Sequence, residues 1–196
     1  MAIIGITGKV TGSAETPTSR GRGVLQPPRA SFRIGLIADT HGLLRPEAKA
    51  FLEHADGIVH AGDIGSARVL RDLRTLAAVY AVRGNNDTEG WAARIPERRT
   101  VRLGGLHIYL VHDRAELAER PAPGGSRVII TGHSHKPCIE TWDGALFVNP
   151  GSAGPRRFNL PVAAGEIEIR GERLQVRLID LSTRRALPGL SARLAL

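Results

Sequence analysis

The sequence predicts an α/β chain built from two packed sheets with helices outside. Three observations carry that reading. The 196 residues are 42% hydrophobic and 23% charged, which is core material for one domain, or for one domain and a tail. The first half alternates short apolar strands with amphipathic helices. The second half is nearly all strand, broken by tight turns, and seven further strands are too many for a single doubly wound sheet.

Taken in order, Ile34 to Ala38 is a wholly apolar run, as in a strand buried on both faces. Pro46 to His54 reads as a helix with proline in its first turn. Gly57 to Ala61 is a second buried strand. Ala67, Leu70, Leu73 and Leu76 form a helical stripe, with Ser66 placed as N-cap. Val79 to Val82 closes a β-α-β-α-β series, the order of a parallel sheet with right-handed crossovers. Strands then follow over Thr100–Leu103, Leu106–Val111, Arg127–Thr131, Cys138–Trp142, Ala145–Val148, Val162–Arg170 and Leu174–Asp180. Gly104-Gly105, Asp143-Gly144 and Gly171-Glu172 supply the turns between several of them. Helical material is thin here, mainly Arg114 to Glu119.

Residues 1–31 read as a flexible basic tail, rich in Gly, Ser, Thr, Pro and Arg and without a sustained period. Lys9, Arg20, Arg22 and Arg29 against Glu15 give it +3 of the chain's +8. Gly5-Ile-Thr-Gly-Lys9 has the wrong spacing for a phosphate loop, and Val10 stands where Ser or Thr is needed. Residues 32–196 contain no internal repeat and no linker, and read as one domain.

A single cysteine, Cys138, excludes an intramolecular disulfide framework and a thiolate-rich zinc site; it is expected as a buried strand residue without a redox role. No apolar run approaches the length of a membrane span, and Met1 to Val10 is too short and too weakly charged for a secretory signal. The expected compartment is the cytoplasm, and no membrane partner is expected. The positive charge permits an anionic partner, whether nucleic acid, nucleotide or small phosphoester, without requiring nucleic acid.

The chemistry lies where strands end. The first delivers Asp39-Thr-His41, the second Gly62-Asp63, the third Gly84-Asn85-Asn86-Asp87; His112 and Gly132-His133-Ser-His135 follow two later strands. The carboxyl ends of parallel strands converge on the ligand crevice. Oxygen and imidazole donors without thiolate suit Mn, Fe, Zn, Ni or Co. Asp39, His41, Asp63, Asn85, His112, His133 and His135 are seven donors, too many for one tetrahedral ion and suited to two ions sharing a carboxylate. Two divalent ions are expected, manganese first. His54, His60 and His107 are read as hydrogen-bonded core residues, and Asp87 as a support for a ligand.

In this order the residues resemble the pattern D-x-H … G-D … G-N-H-[DE] … H … G-H-x-H of the calcineurin-like metallophosphoesterase superfamily. The similarity runs from residue 33 to about residue 182. The small size, Gly84-Asn-Asn-Asp87 and Asn149-Pro-Gly-Ser152 look most like its YfcE-type single-domain phosphodiesterases. The resemblance implies a two-sheet β-sandwich flanked by helices. It also implies one ion on Asp39, His41, Asp63 and His135, and a second on Asp63, Asn85, His112 and His133, with Asp63 bridging. Two departures stand out. Asn86 replaces the usual histidine, and an amide donates a hydrogen bond but delivers no proton near neutral pH. Asp113-Arg114 replaces the Gly-His that many relatives carry after the His112 position.

The implied activity is hydrolysis of a small phosphodiester or nucleotide-type phosphoester by a metal-bridging hydroxide attacking in line, with Asp63 and Asn86 as catalytic residues. Asn86, Arg83, Arg156 and Arg157 are the candidates for holding the substrate. Slow turnover is expected for esters with poor leaving groups. Two alternatives stay open. The eukaryotic retromer scaffold subunit is similar in fold and uses a degenerate site for docking, and the positive charge suits a nuclease.

Overall fold

The computed structural model describes residues 31–142 and 144–195. The tail expected over 1–31 therefore lies outside the described residues apart from Ser31, and so does Asp143 of the expected Asp143-Gly144 turn.

The elements run β1 (Phe32–Ile37), α1 (Pro46–Leu52), β2 (Gly57–Ala61), α2 (Ala67–Arg74), β3 (Ala78–Val82), β4 (Arg98–Leu103), β5 (Leu106–Val111), α3 (Glu116–Glu119), β6 (Val128–Ile130), β7 (Cys138–Trp142), β8 (Ala145–Asn149), β9 (Ala163–Arg170), β10 (Arg173–Asp180) and β11 (Arg185–Ala195). They form two sheets, in the orders β11-β10-β9-β1-β2-β3 and β4-β5-β6-β8-β7. β1, β2 and β3 pair in parallel, as do β5, β6 and β8, while hairpins and β9 supply the antiparallel edges. This is the α/β two-sheet sandwich with helices outside.

Each layer follows from side-chain alternation. Ile34 and Leu36 face the second sheet, where Ile108, Leu110, Ile130 and Val148 meet them in the main core. Ile37 and Ile58 face the opposite way, onto Leu52 of α1 and Leu70 and Leu73 of α2. Leu117 of α3 covers the far side of the second sheet over Tyr109, Ile129 and Phe147. Burial on both faces explains why Ile34–Ala38 and Val128–Ile130 read as unbroken apolar runs, and why β2 is interrupted only by the buried His60.

The structure corrects several expectations. β11 is an added edge strand, antiparallel to β10, whose Leu187, Leu190, Ala192 and Leu194 pack on the main core. Pro188 and Gly189 hide it in the sequence; an edge strand tolerates both because one side of its backbone needs no ladder. α1 ends at Leu52, two residues early, and α3 begins only at Glu116. Ser66 has the extended backbone of an N-cap, but its side chain makes no capping hydrogen bond. His54 and His107 are exposed and not core residues; only His60 is buried. Cys138 is half-buried. No helix of the described residues is long and apolar enough to cross a membrane.

Candidate metal centre

The loops after β1, β2 and β3 of one sheet and after β5 and β6 of the other meet at one rim of the sandwich. Backbone hydrogen bonds lock them together. Asp39 N–H donates to Gly62 O at 3.0 Å, His41 N–H to Asp63 O at 2.9 Å, and Gly132 N–H to His112 O at 2.9 Å. The His112 Nδ1–H donates to Ala61 O at 2.7 Å, joining the end of β5 to the end of β2 across the sandwich. In the neutral ring that bond fixes the tautomer and leaves the Nε2 lone pair aimed into the cleft.

The backbone turns sharply to aim these side chains. Among the described residues, seven non-glycine positions have positive φ, and five are candidate ligands: Asp39, His41, Asp63, His133 and His135, at φ of 45° to 66°. The left-handed region costs a side-chain-bearing residue on the order of 1–3 kcal/mol and persists only where surrounding bonds over-determine it.

The candidate donors come together. Nε2 of His135 lies 3.3 Å from Asp39 Oδ1 and 3.2 Å from Nε2 of His41, which is 3.8 Å from Asp63 Oδ2. On the other side, Nε2 of His112 lies 3.5 Å from Asp63 Oδ1 and 3.2 Å from Asn85 Oδ1, and Nδ1 of His133 lies 3.0 Å from the same amide oxygen. Two groups are close enough to hold a cation, Asp39 with His41 and His135, and Asp39 with Asp63 and His112. Asp39, Asp63, His112 and His135 are buried, whereas Asn85 and His133 are exposed at the mouth.

The donor set fits a divalent cation. Asp39 Oδ2 is buried without a hydrogen-bond partner, an expensive state for a carboxylate oxygen unless a cation meets it. Space has been cleared around both carboxylates. A Cβ on Gly84 would stand 2.2 Å from Asp63 Oδ1, and one on Gly132 would stand 2.8 Å from Asp39 Oδ2. Burial acts to raise the Asp63 pKa, but the His112 ring when protonated and the backbone and side-chain N–H groups of Asn86 outweigh it and hold the carboxyl well below the usual range. Burial lowers the His41 pKa despite Asp63 beside it, which favours the neutral, ligating imidazole. Burial also acts against the His112 imidazolium, yet Asp63 and Ala61 O raise its pKa.

Asp87 braces this centre. Its buried carboxylate accepts from the backbone N–H of Ile64 at 3.0 Å, Gly65 at 2.8 Å and Gly84 at 2.9 Å, so it clamps the residues that follow Asp63 and precede Asn85. Sequence reasoning missed two further supports. Asn149 donates to Gly132 O at 2.6 Å, and Ser152 Oγ donates to Asp39 O at 2.9 Å. The Asn149-Pro-Gly-Ser152 pattern was their only signal. Thr40 Oγ1 spends its proton on Ile64 O, so it accepts from His60 Nε2 at 2.9 Å. Burial pushes the His60 pKa down to about 4, which keeps the ring neutral near neutral pH.

The candidate substrate residues are placed unevenly. Asn86 donates to Asp63 from both its backbone N–H (2.9 Å) and its Nδ2 (2.6 Å). Arg83 pairs with Glu97 at 2.6 Å. Arg157 Nη2 reaches 3.4 Å from His41 Nε2. Arg156 is exposed and makes no bond to the donors among the described residues. At the second departure, Asp113 lies 3.8 Å from His133 Nε2, and Arg114 pairs with Glu140 over the Phe147 ring.

Comparison with known proteins agrees with this geometry. A calcineurin-like phosphoesterase superfamily domain matches residues 32–171. A probable metallophosphoesterase of Methanothermobacter thermautotrophicus is 35% identical over 158 residues, covering 74% of this chain and 91% of the relative. A phosphodiesterase of Methanocaldococcus jannaschii is 30% identical over 138 residues, 61% of this chain and 83% of the relative. In fold, the chain is similar to vacuolar protein sorting 29 of Cryptosporidium parvum (TM-score 0.71, 20% identity, 85% and 99% of the two chains). It is likewise similar to the YfcE phosphoesterase of E. coli (TM-score 0.60, 23% identity, 84% and 99%). The chain belongs to the calcineurin-like phosphoesterase superfamily.

Proposed function

We propose that this chain is a divalent-metal-dependent phosphodiesterase of small or nucleotide-type phosphodiesters. The convergence of carboxylate, amide and imidazole donors from five strand ends supports the reading, with an unpartnered Asp39 oxygen at their centre. Asp39, His41, Asp63 and His135 would hold one cation. Asp63, Asn85, His112 and His133 would hold a second, with Asp63 shared. Manganese is the proposed metal, with Fe, Ni, Zn or Co as alternatives. A divalent pair supplies positive charge opposite the phosphoryl oxygens and lowers the pKa of water.

The chain's own residues do the rest. The His112 bond to Ala61 O and the clamp of Asp87 hold the donors in place before substrate arrives. Asn86 Nδ2, now on Asp63, is positioned to donate to a phosphoryl oxygen at the mouth. No imidazole follows Asn85, so no side chain there protonates the departing oxygen, and diesters with low-pKa leaving groups are favoured. Arg157 beside His41 offers a guanidinium to the phosphodiester.

Stripping the purified protein with chelator should abolish hydrolysis of methyl p-nitrophenyl phosphate, and added Mn should restore it. Full activity in Asp63→Ala would refute the assignment. The likeness to vacuolar protein sorting 29 favours a second reading, a protein-docking scaffold. A stable protein complex combined with no metal uptake would select it.

A further inference from the structure

The segment after Ser152 is tied to the metal centre and then thrown out into water. Ala153 N–H donates to Ala38 O at 3.0 Å, and Arg45 Nε donates to Gly154 O at 2.9 Å. Gly154 lies so close to the Asp39–His41 loop that a Cβ on it would stand 2.4 Å from Thr40 O. Three residues on, Arg157 reaches His41. Leu160 N–H then donates to Arg157 O at 3.2 Å, closing a turn with Phe158 at its corner.

Phe158 is doubly anomalous. Its side chain is 90% exposed, against 40% for Leu43, the other large exposed apolar residue among those described. Its φ is +52°, in the left-handed region that a bulky residue seldom enters. An isolated surface apolar residue needs no explanation, but an aromatic ring held in water at a strained turn corner loses on both counts. Its neighbours add charge. Arg156 and Arg157 have no carboxylate partner among the described residues, unlike Arg83 with Glu97 or Arg98 with Glu116. An open guanidinium at the donors, followed by a bare ring, matches a ligand with a phosphate at one end and a planar aromatic group at the other.

We infer that Phe158 is a stacking platform that selects phosphoesters carrying a nucleobase, with Arg157 holding the phosphate end. The phosphate end rests on the phosphodiesterase reading; the ring does not. Stacking of a base on an aromatic side chain is sequence-tolerant, and the low end of its range suits a ring that covers one face.

The test measures binding to the full chain with Mn present, using adenosine 5′-monophosphate and ribose 5-phosphate, which share the phosphate and differ in the base. The base should tighten binding by about five- to tenfold. Phe158→Gly accepts the positive φ without strain, so it removes the ring while keeping the turn. In that variant the ratio of the two affinities should fall to near one, and Phe158→Trp should restore it. Equal affinities in the parent chain, no binding of either phosphate, or a preference that survives Phe158→Gly would each overturn the inference. Hydrolysis of methyl p-nitrophenyl phosphate is followed in parallel. A base preference that depends on Phe158 in a chain without hydrolysis supports the platform and refutes the phosphodiesterase reading.

Discussion

Replacing Asp87 tests whether the donors are held by the backbone behind them. Its carboxylate accepts three N–H groups, and two of these, at Ile64 and Gly84, belong to buried residues; Gly65 is exposed and finds water instead. Losing the acceptor leaves two buried donors unsatisfied at about 1–3 kcal/mol each, partly offset because a buried charge disappears. Asp87→Ala should therefore lower unfolding free energy by about 2–4 kcal/mol in urea titration. Asp87→Asn should cost clearly less, because the two buried N–H groups share Oδ2 and one amide oxygen can replace it. Its NH2 then faces only the N–H of exposed Gly65, which turns to water. Mn affinity should fall in Asp87→Ala, because Ile64 directly follows Asp63 and Gly84 directly precedes Asn85. An Asp87→Ala variant within about 0.5 kcal/mol of the parent, with unchanged Mn affinity, would refute the clamp.

His60 gives a pH signature. Its folded pKa of about 4 lies below the ordinary value of 6.5, so on acidification only the unfolded chain takes the proton. Stability is full above pH 6.5 and declines as pH falls toward 4. By pH 4 the loss reaches about 3 kcal/mol, and urea midpoints for His60→Gln should show a flatter decline. Gly84→Ala should push the Asp63 carboxylate aside and weaken Mn binding at least tenfold by calorimetry, since its Cβ would enter that oxygen's space. Leu110→Ala, in the fully buried layer between the sheets, should cost about 2–5 kcal/mol by the same denaturation assay.

Much of this molecule was legible because its donors follow strands that are themselves unmistakable. Asp39, Asp63 and Asn85 each come within three residues of an apolar run, and no period analysis is needed to align them. β11 was not legible, since Pro188 and Gly189 interrupt a strand whose alternation shows only once β10 is beside it. Nor was the pairing of Arg83 with Glu97, which depends on how the chain returns from Gly90 toward β4. His54 and His107 misled because a histidine in apolar company carries no mark of the side it faces. Asp87 was legible as a support for a ligand, but its means of support was not: its partners are backbone amides, which every residue has.

The division of donors between the layers has a mechanical consequence. Asp39, His41, Asp63 and Asn85 hang from the six-stranded sheet, whereas His112, His133 and His135 hang from the five-stranded one. A cation seated among them acts as a rivet through both plates, so sliding of one plate over the other must stretch its bonds. Rigidity of the whole body and occupancy of the cage are then linked, and each strengthens as the other does.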